Sequence, residues 1–246
     1  MTKGSVTGIY GKLPGYGDFI FRNLKAGFIN PWDEWLQHFL SASKEQIGDE
    51  WLNVYLTSPM WRFVLSPGVI DGNVHAGVML PSVDRVGRYF PLTVVRSFTG
   101  RTNPLDIFLY ESDWFRRLEE NCLYALNGEI DADELVEAVS SHPVGNDGKY
   151  LPTQELGEIG PMIFDLPGTE PGSIRSLLPY VVNASLSAAL TSFSIWMTDG
   201  SEYIHPMVFS CKGLPSVGGA ASMLDGRWQE RNWKSPYKLQ LIPGSQ

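Results

Sequence analysis

With 246 residues, 43% of them hydrophobic and 19% charged, the chain can bury a substantial core and fits one large domain or two small ones. Its net charge of -8 is carried by the later part: residues 1–100 hold nine Lys and Arg against eight Asp and Glu, whereas residues 101–246 hold ten against nineteen. Such a chain, without a basic stripe, repels phosphate backbones, which speaks against nucleic acid as a partner. Apolar runs such as Ala76–Pro81 and Leu92–Val95 fall far short of the roughly 20 residues that span a bilayer, so no membrane crossing is expected.

The first residues show no apolar leader core, and the chain is therefore expected to stay in the cytoplasm. Short apolar runs then alternate with amphipathic stretches, the pattern of an α/β fold in which helices cover both faces of a central mixed or antiparallel sheet. A first helix is predicted over 31–47, with Asn30 as N-cap, Pro31 at the first helical position and Gly48 as the stop. Trp32, Trp35, Leu36, Phe39 and Leu40 line its apolar face. A short helical turn follows at Glu50–Leu56. Three strands are predicted next, at Trp61–Leu65, His75–Leu80 and Tyr89–Ser97, and they should form the middle of the sheet.

Helical spacing resumes at 104–127, broken near Ser112, with Phe115, Leu118, Cys122 and Leu126 on one face. It returns at 132–141, where Asp131 and Glu134 have the spacing of a capping box. Residues 143–172 hold six glycines and five prolines, which predicts a long loop, available as a cover or a partner-contacting segment. An apolar helical stretch at Ser173–Leu190 has Pro179 as its expected break. Ser192–Thr198 and Tyr203–Ser210 flank Asp199-Gly200-Ser201 and read as an antiparallel hairpin. The tail beyond Trp228 is polar and should pack only in part.

Cys122 and Cys211 stand far apart with no second thiol near either, which indicates neither a disulfide framework nor a zinc cluster. The densest polar signal is Pro81-Ser-Val-Asp84-Arg85-Val-Gly87-Arg88-Tyr-Phe-Pro91, one carboxylate and two guanidiniums between two predicted strands. Arginine's planar fork grips carboxylate or phosphate bidentately, so this segment can hold an anion or dock a partner. Alternatively, Asp84 fixes the turn by pairing with one arginine. We expect Asp84 to pair with Arg85 for structure and Arg88 to remain for binding. The second signal, Gly8-Ile-Tyr10-Gly-Lys12-Leu-Pro-Gly15-Tyr-Gly17-Asp18-Phe19, lacks the Ser or Thr after Lys12 that a phosphate loop requires and the later glycine of a dinucleotide site. It reads as a strand end and a tight turn, with Asp18 bonding backbone amides. No cofactor motif is present. No nucleophile elbow or paired-His metal motif occurs, and His38, His75, His142 and His205 sit in unlike contexts. Of the eight tryptophans, most should be core, but one or two of the early cluster, with Trp32 and Trp61 as candidates, could anchor a partner.

These residues resemble the TagF family, also called ImpM, of proteins associated with bacterial type VI secretion. The likeness rests on Tyr10-Gly-Lys-Leu-Pro14, Gly17-Asp-Phe19, Pro31-Trp-Asp-x-Trp-Leu36, Tyr55-Leu-Thr-Ser-Pro-x-Trp-Arg-Phe63 and Pro81 to Pro91, and it covers about residues 8–95. Beyond that only looser cues occur, at Ile195-Trp196, Gly213-Leu-Pro215 and Met223-Leu224. The resemblance implies one three-layer α/β domain over 1–246, without enzymatic activity, that represses the secretion apparatus after translation. It implies a forkhead-associated (FHA) scaffold protein of the threonine-phosphorylation pathway as the partner. The candidate contact residues are Arg88, Arg85, Asp84, Asp18, Lys12, Trp32 and Trp61. Two competing readings are a hydrolase acting on phosphorylated protein, centred on Asp18, Asp84, Arg85 and Arg88, and a structural component of the secretion machine.

Overall fold

Residues 5–100, 102–144, 163–164, 176–234 and 237–239 are described by the computed structural model. The expected loop at 143–172 lies outside them except for residues 143, 144, 163 and 164, as do residues 173–175. Among the described residues, the strands are β1 (Val6–Gly11), β2 (Ile20–Arg22), β3 (Trp61–Leu65), β4 (Val74–Leu80), β5 (Leu92–Phe98), β6 (Phe193–Thr198) and β7 (Met207–Lys212). They form one sheet in the order β2-β1-β5-β4-β3-β6-β7, antiparallel at every pairing. The three strands predicted for the middle, β3, β4 and β5, are adjacent there.

Alternation along the strands builds two cores. Tyr10, Trp61, Phe63, Met79, Val95 and Trp196 face one side, against α1 (Ala26–Ile47), α2 (Trp51–Leu56) and the short turns α7 (Val217–Ala220) and α8 (Ser222–Asp225). Ile9, Val64, Ala76, Val78, Leu80 and Val94 face the other, under α4 (Ser112–Leu126) and α5 (Ala132–Ser141). A third, smaller cluster puts Phe193 and Ile195 of β6 beneath α3 (Pro104–Tyr110) and α6 (Leu178–Leu190). The result is the three-layer α/β arrangement, with the central strands of its sheet buried on both faces. Gly77 shows how close the central strands run: a Cβ on it would lie 1.9 Å from the Val94 carbonyl oxygen.

Several elements differ from expectation for physical reasons. Helix α1 begins at Ala26, with Pro31 inside it. The carbonyl that this proline cannot pair is that of exposed Gly27, so the lost bond lies at the solvent-facing start of the helix. Pro179 stands in the first turn of α6 and starts that helix instead of breaking it, because its absent N–H would have had no partner there. Strand β5 begins at Leu92, since Tyr89 makes only an isolated bridge to Val83 across the preceding turn. The β6–β7 connection is longer than a tight hairpin, running from 199 to 206, because Ile204 turns inward into the core before β7 starts. Strand β2, three residues long, has too short an alternation to be read from sequence.

Other expectations are met closely. Strand β3 occupies Trp61–Leu65, the helical region breaks between Tyr110 and Ser112, and Asp131 with Glu134 forms a complete capping box on α5. Cys122 and Cys211 are free thiols, the first buried and the second partly so.

Candidate functional site

Strand β1 ends at Gly11, whose φ of 133° and lack of Cβ let it pass Pro91: a Cβ there would sit 2.0 Å from the Pro91 carbonyl oxygen. That close approach carries Lys12 beneath the 81–91 connection. Its carbonyl accepts from Ser82 Oγ at 2.7 Å, and Ser82 is clasped by the Tyr55 hydroxyl, which donates to its C=O and accepts from its N–H, each at 3.0 Å. Burial raises the Tyr55 pKa, so the phenol stays protonated as this clasp requires.

On this base the chain reverses. Asp84 N–H donates to the Arg88 carbonyl and Gly87 N–H to the Asp84 carbonyl, each at 3.0 Å, so residues 84 and 88 lie side by side. The Asp84 carboxylate is buried and accepts four bonds. Lys12 Nζ and Arg88 Nε donate to Oδ2 at 2.9 and 2.7 Å, and the amides of Val86 and Arg88 donate to Oδ1 at 3.0 and 2.9 Å. Two cations and two N–H donors hold its pKa well below the usual carboxylate range, against the opposing effect of burial. Arg88 also donates to the Gly17 carbonyl, tying the turn to the 12–19 loop.

This corrects the expected division of labour. Asp84 pairs with Arg88 and Lys12, not with Arg85, because the reversal opposes residues four apart while the neighbouring side chain points away. Arg85 is fixed through its backbone, N–H to the Tyr16 carbonyl at 2.8 Å, and its guanidinium lies exposed over Gly17. Among the described residues it makes no hydrogen bond or ion pair. Among the described residues exposed Asp18 accepts only from the following amide, Phe19 N–H, at 2.8 Å.

Exposed apolar side chains occur beside Arg85 in the turn and after Gly17 in the loop that the turn is tied to. Val86 is 65% exposed, Phe21 59% and Phe19 41%. Phe19 is held by stacking on Tyr10 and by an edge contact with Phe90, with ring centroids at 5.9 and 4.8 Å, and Lys12 Nζ lies 4.9 Å from its centroid. Trp32 and Trp61, proposed from sequence as anchors, are instead buried in the core. Their indole N–H groups donate to Thr93 Oγ1 and to the Met223 carbonyl, each at 3.0 Å. The exposure of Phe19, Phe21 and Val86 was not foreseen, because an exposed apolar residue has no signature in a single sequence.

Residues 8–142 match the TagF N-terminal domain, described as type VI secretion system-associated, and this match spans more than half of the chain. The chain belongs to the TagF N-terminal domain family. Its structure is also similar to the crystal structure of PA0076 from Pseudomonas aeruginosa PAO1, solved at 2.05 Å, with a TM-score of 0.72 and 31% identity over 98% of this chain and 100% of that one. Comparison with curated proteins gave no match. The site described above lies wholly within the TagF-matched residues, and the two loops that build it carry all five of the polar residues singled out from sequence, Lys12, Asp18, Asp84, Arg85 and Arg88.

A second polar cluster in this TagF chain was not foreseen. His75 Nδ1 lies 3.0 Å from Ser97 Oγ and its Nε2 lies 2.9 Å from Asp71 Oδ1. The nitrogens are reversed relative to a hydrolase triad, where Ser faces Nε2. The ring is buried under Phe28, 5.0 Å between centroids, and burial lowers its pKa despite Asp71, so a neutral imidazole clasps the 66–74 turn to β5.

Proposed function

We propose that this chain is a non-enzymatic, post-translational repressor of a bacterial type VI secretion system. It acts in the cytoplasm as one folded unit over residues 1–246, by binding an FHA scaffold protein of the threonine-phosphorylation pathway. Membership of the TagF family supports the secretion role. The observation that carries the binding reading is the division of the polar loop: Asp84, Arg88 and Lys12 satisfy one another, while the Arg85 side chain stands exposed next to exposed Val86. An unpaired arginine on a loop that also exposes apolar side chains has the composition of a docking anchor, since arginine and aromatic residues dominate interface energetics. The hydrolase reading needed Asp18, Asp84, Arg85 and Arg88 free and convergent, and Asp84 and Arg88 are bonded to structural partners.

Deletion of the gene is expected to raise secretion and overproduction to lower it. Purified Arg85→Glu protein should melt as the parent does, capture less FHA scaffold from host lysate, and fail to restore repression in the deletion strain. Unchanged secretion in both the deletion and overproducing strains, or undiminished capture by Arg85→Glu, overturns the proposal.

A further inference from the structure

Among the described residues the far edge of the sheet, β7, is open. Ser66 N–H donates to the Phe193 carbonyl at 2.9 Å, so the odd residues of β6 bond toward β3 and the even ones, Ser194, Trp196 and Thr198, bond toward β7. Their partners are Cys211, Phe209 and Met207, which directs the N–H and C=O groups of Val208, Ser210 and Lys212 outward. Among the described residues nothing bonds to them. The opposite edge is blunted by comparison: β2 has three residues, and Arg22 Nη1 donates to the Phe21 carbonyl at 2.9 Å.

Beside this edge runs α6, on the same face as the exposed side chains of Val208, Ser210 and Lys212. Its thirteen residues, Leu178–Leu190, include no charged side chain. Yet Leu178, Val182, Ser185 and Ala189 are exposed, a single stripe at helical spacing. A solvent-facing helix ordinarily carries charge on that side, so the stripe is built to be covered.

We propose that a second copy of this chain covers it, with two β7 strands pairing antiparallel about a two-fold axis at Ser210 to continue the sheet across both subunits. The edge is self-complementary in that register. Ser210 opposes Ser210 of the other copy, and each Lys212 opposes a Val208, so its aliphatic stem lies on an apolar neighbour and the two ammonium groups sit at opposite ends. No like charges meet. The two β6 strands stand three strand spacings apart, about 14 Å, which brings the α6 helices above them near enough for Leu178 and Val182 of each to meet across the pair. A partner strand of unrelated sequence would need no such two-fold match.

Sedimentation equilibrium of the purified full chain at micromolar concentration should give twice the 27.4 kDa of one chain. In a Cys211→Ser background, Ser210→Cys should cross-link to itself on mild oxidation, because facing residues of a bonded antiparallel pair have Cα atoms about 5.5 Å apart, within disulfide range. Val208→Cys alone should not cross-link, whereas Val208→Cys with Lys212→Cys should. Ser210→Pro removes an outward N–H while leaving the bonds to β6, and should give a monomer with unchanged circular dichroism. A monomer at all concentrations, a dimer that survives Ser210→Pro, or self-linking at position 208 but not 210 overturns the proposal. A Ser210→Cys adduct formed only with a different host protein assigns the edge to another occupant and overturns it equally.

Discussion

Replacing Lys12 by Met keeps an unbranched stem of similar volume and removes only the ammonium, which isolates its electrostatic role beneath the 81–91 turn. That ammonium is buried, donates to Asp84 Oδ2 at 2.9 Å and lies over the Phe19 ring. Breaking a buried ion pair from one side falls among the costliest single substitutions, because the remaining charge loses its compensation. Here Arg88 and two amides stay on Asp84, so the loss falls at the lower end: about 6 to 12 °C in melting temperature for a chain of this length. The pH dependence separates charge from packing. The folded pKa of Asp84 is depressed, so its contribution is present above its ordinary value of 3.8 and is lost as the pH falls below it. Without Lys12 the depression is smaller, so less stability remains to be lost in acid. Melting curves followed by tryptophan fluorescence from pH 7 to 2.5 should therefore show the parent and Lys12→Met converging as the pH drops. A gap that is constant across that range would trace the loss to packing and refute the electrostatic account. A variant as stable as the parent at pH 7 would refute the burial argument itself.

Three further outcomes follow from the same geometry. Gly77→Ala puts a methyl 1.9 Å from the Val94 carbonyl in the centre of the sheet, and is expected to lower the melting temperature by more than about 6 °C or to leave the protein insoluble, read by thermal melting and soluble yield. His75 is buried neutral with a folded pKa below its ordinary 6.5, so stability should decline as the pH falls below 6.5, by up to about 1.4 kcal/mol per pH unit. In His75→Gln, chemical denaturation at pH 7, 6 and 5 should show that slope reduced. Asp131→Ala removes the side chain that accepts from the Asp133 and Glu134 amides, and should cost about 1 kcal/mol by the same denaturation assay.

Local chemistry was the part of this fold that could be read from sequence. The capping box on α5, Gly48 after α1, and the Val- and Phe-rich run of β3 each carry their signal within a few residues. What escaped was set at a distance or by tolerance. Pro31 looks like a helix start, yet α1 runs one turn further back, because the bond it lacks falls at exposed Gly27. Strand β2 exists because β1 is there to pair with Ile20–Arg22, and three residues alone show no period. The middle of the sheet was legible since β3, β4 and β5 are buried on both faces and correspondingly apolar.

The site divides in the same way, and Asp84 shows why. Composition and spacing marked 81–91 as a place where one carboxylate meets two guanidiniums, but the choice between Arg85 and Arg88 depends on the path of the backbone. In an extended segment neither would reach Asp84 easily. Because Gly87 takes φ of 84° and Val83 bridges Tyr89, the turn closes tightly enough to set residue 88 against residue 84 and to direct residue 85 outward. Lys12, 72 positions away, completes the neutralisation only because Gly11 lets β1 run against Pro91. Two glycines thus decide which arginine is structural and which is left exposed, and if Arg85 binds as proposed their substitution should weaken scaffold capture even though neither carries a side chain to contribute to it.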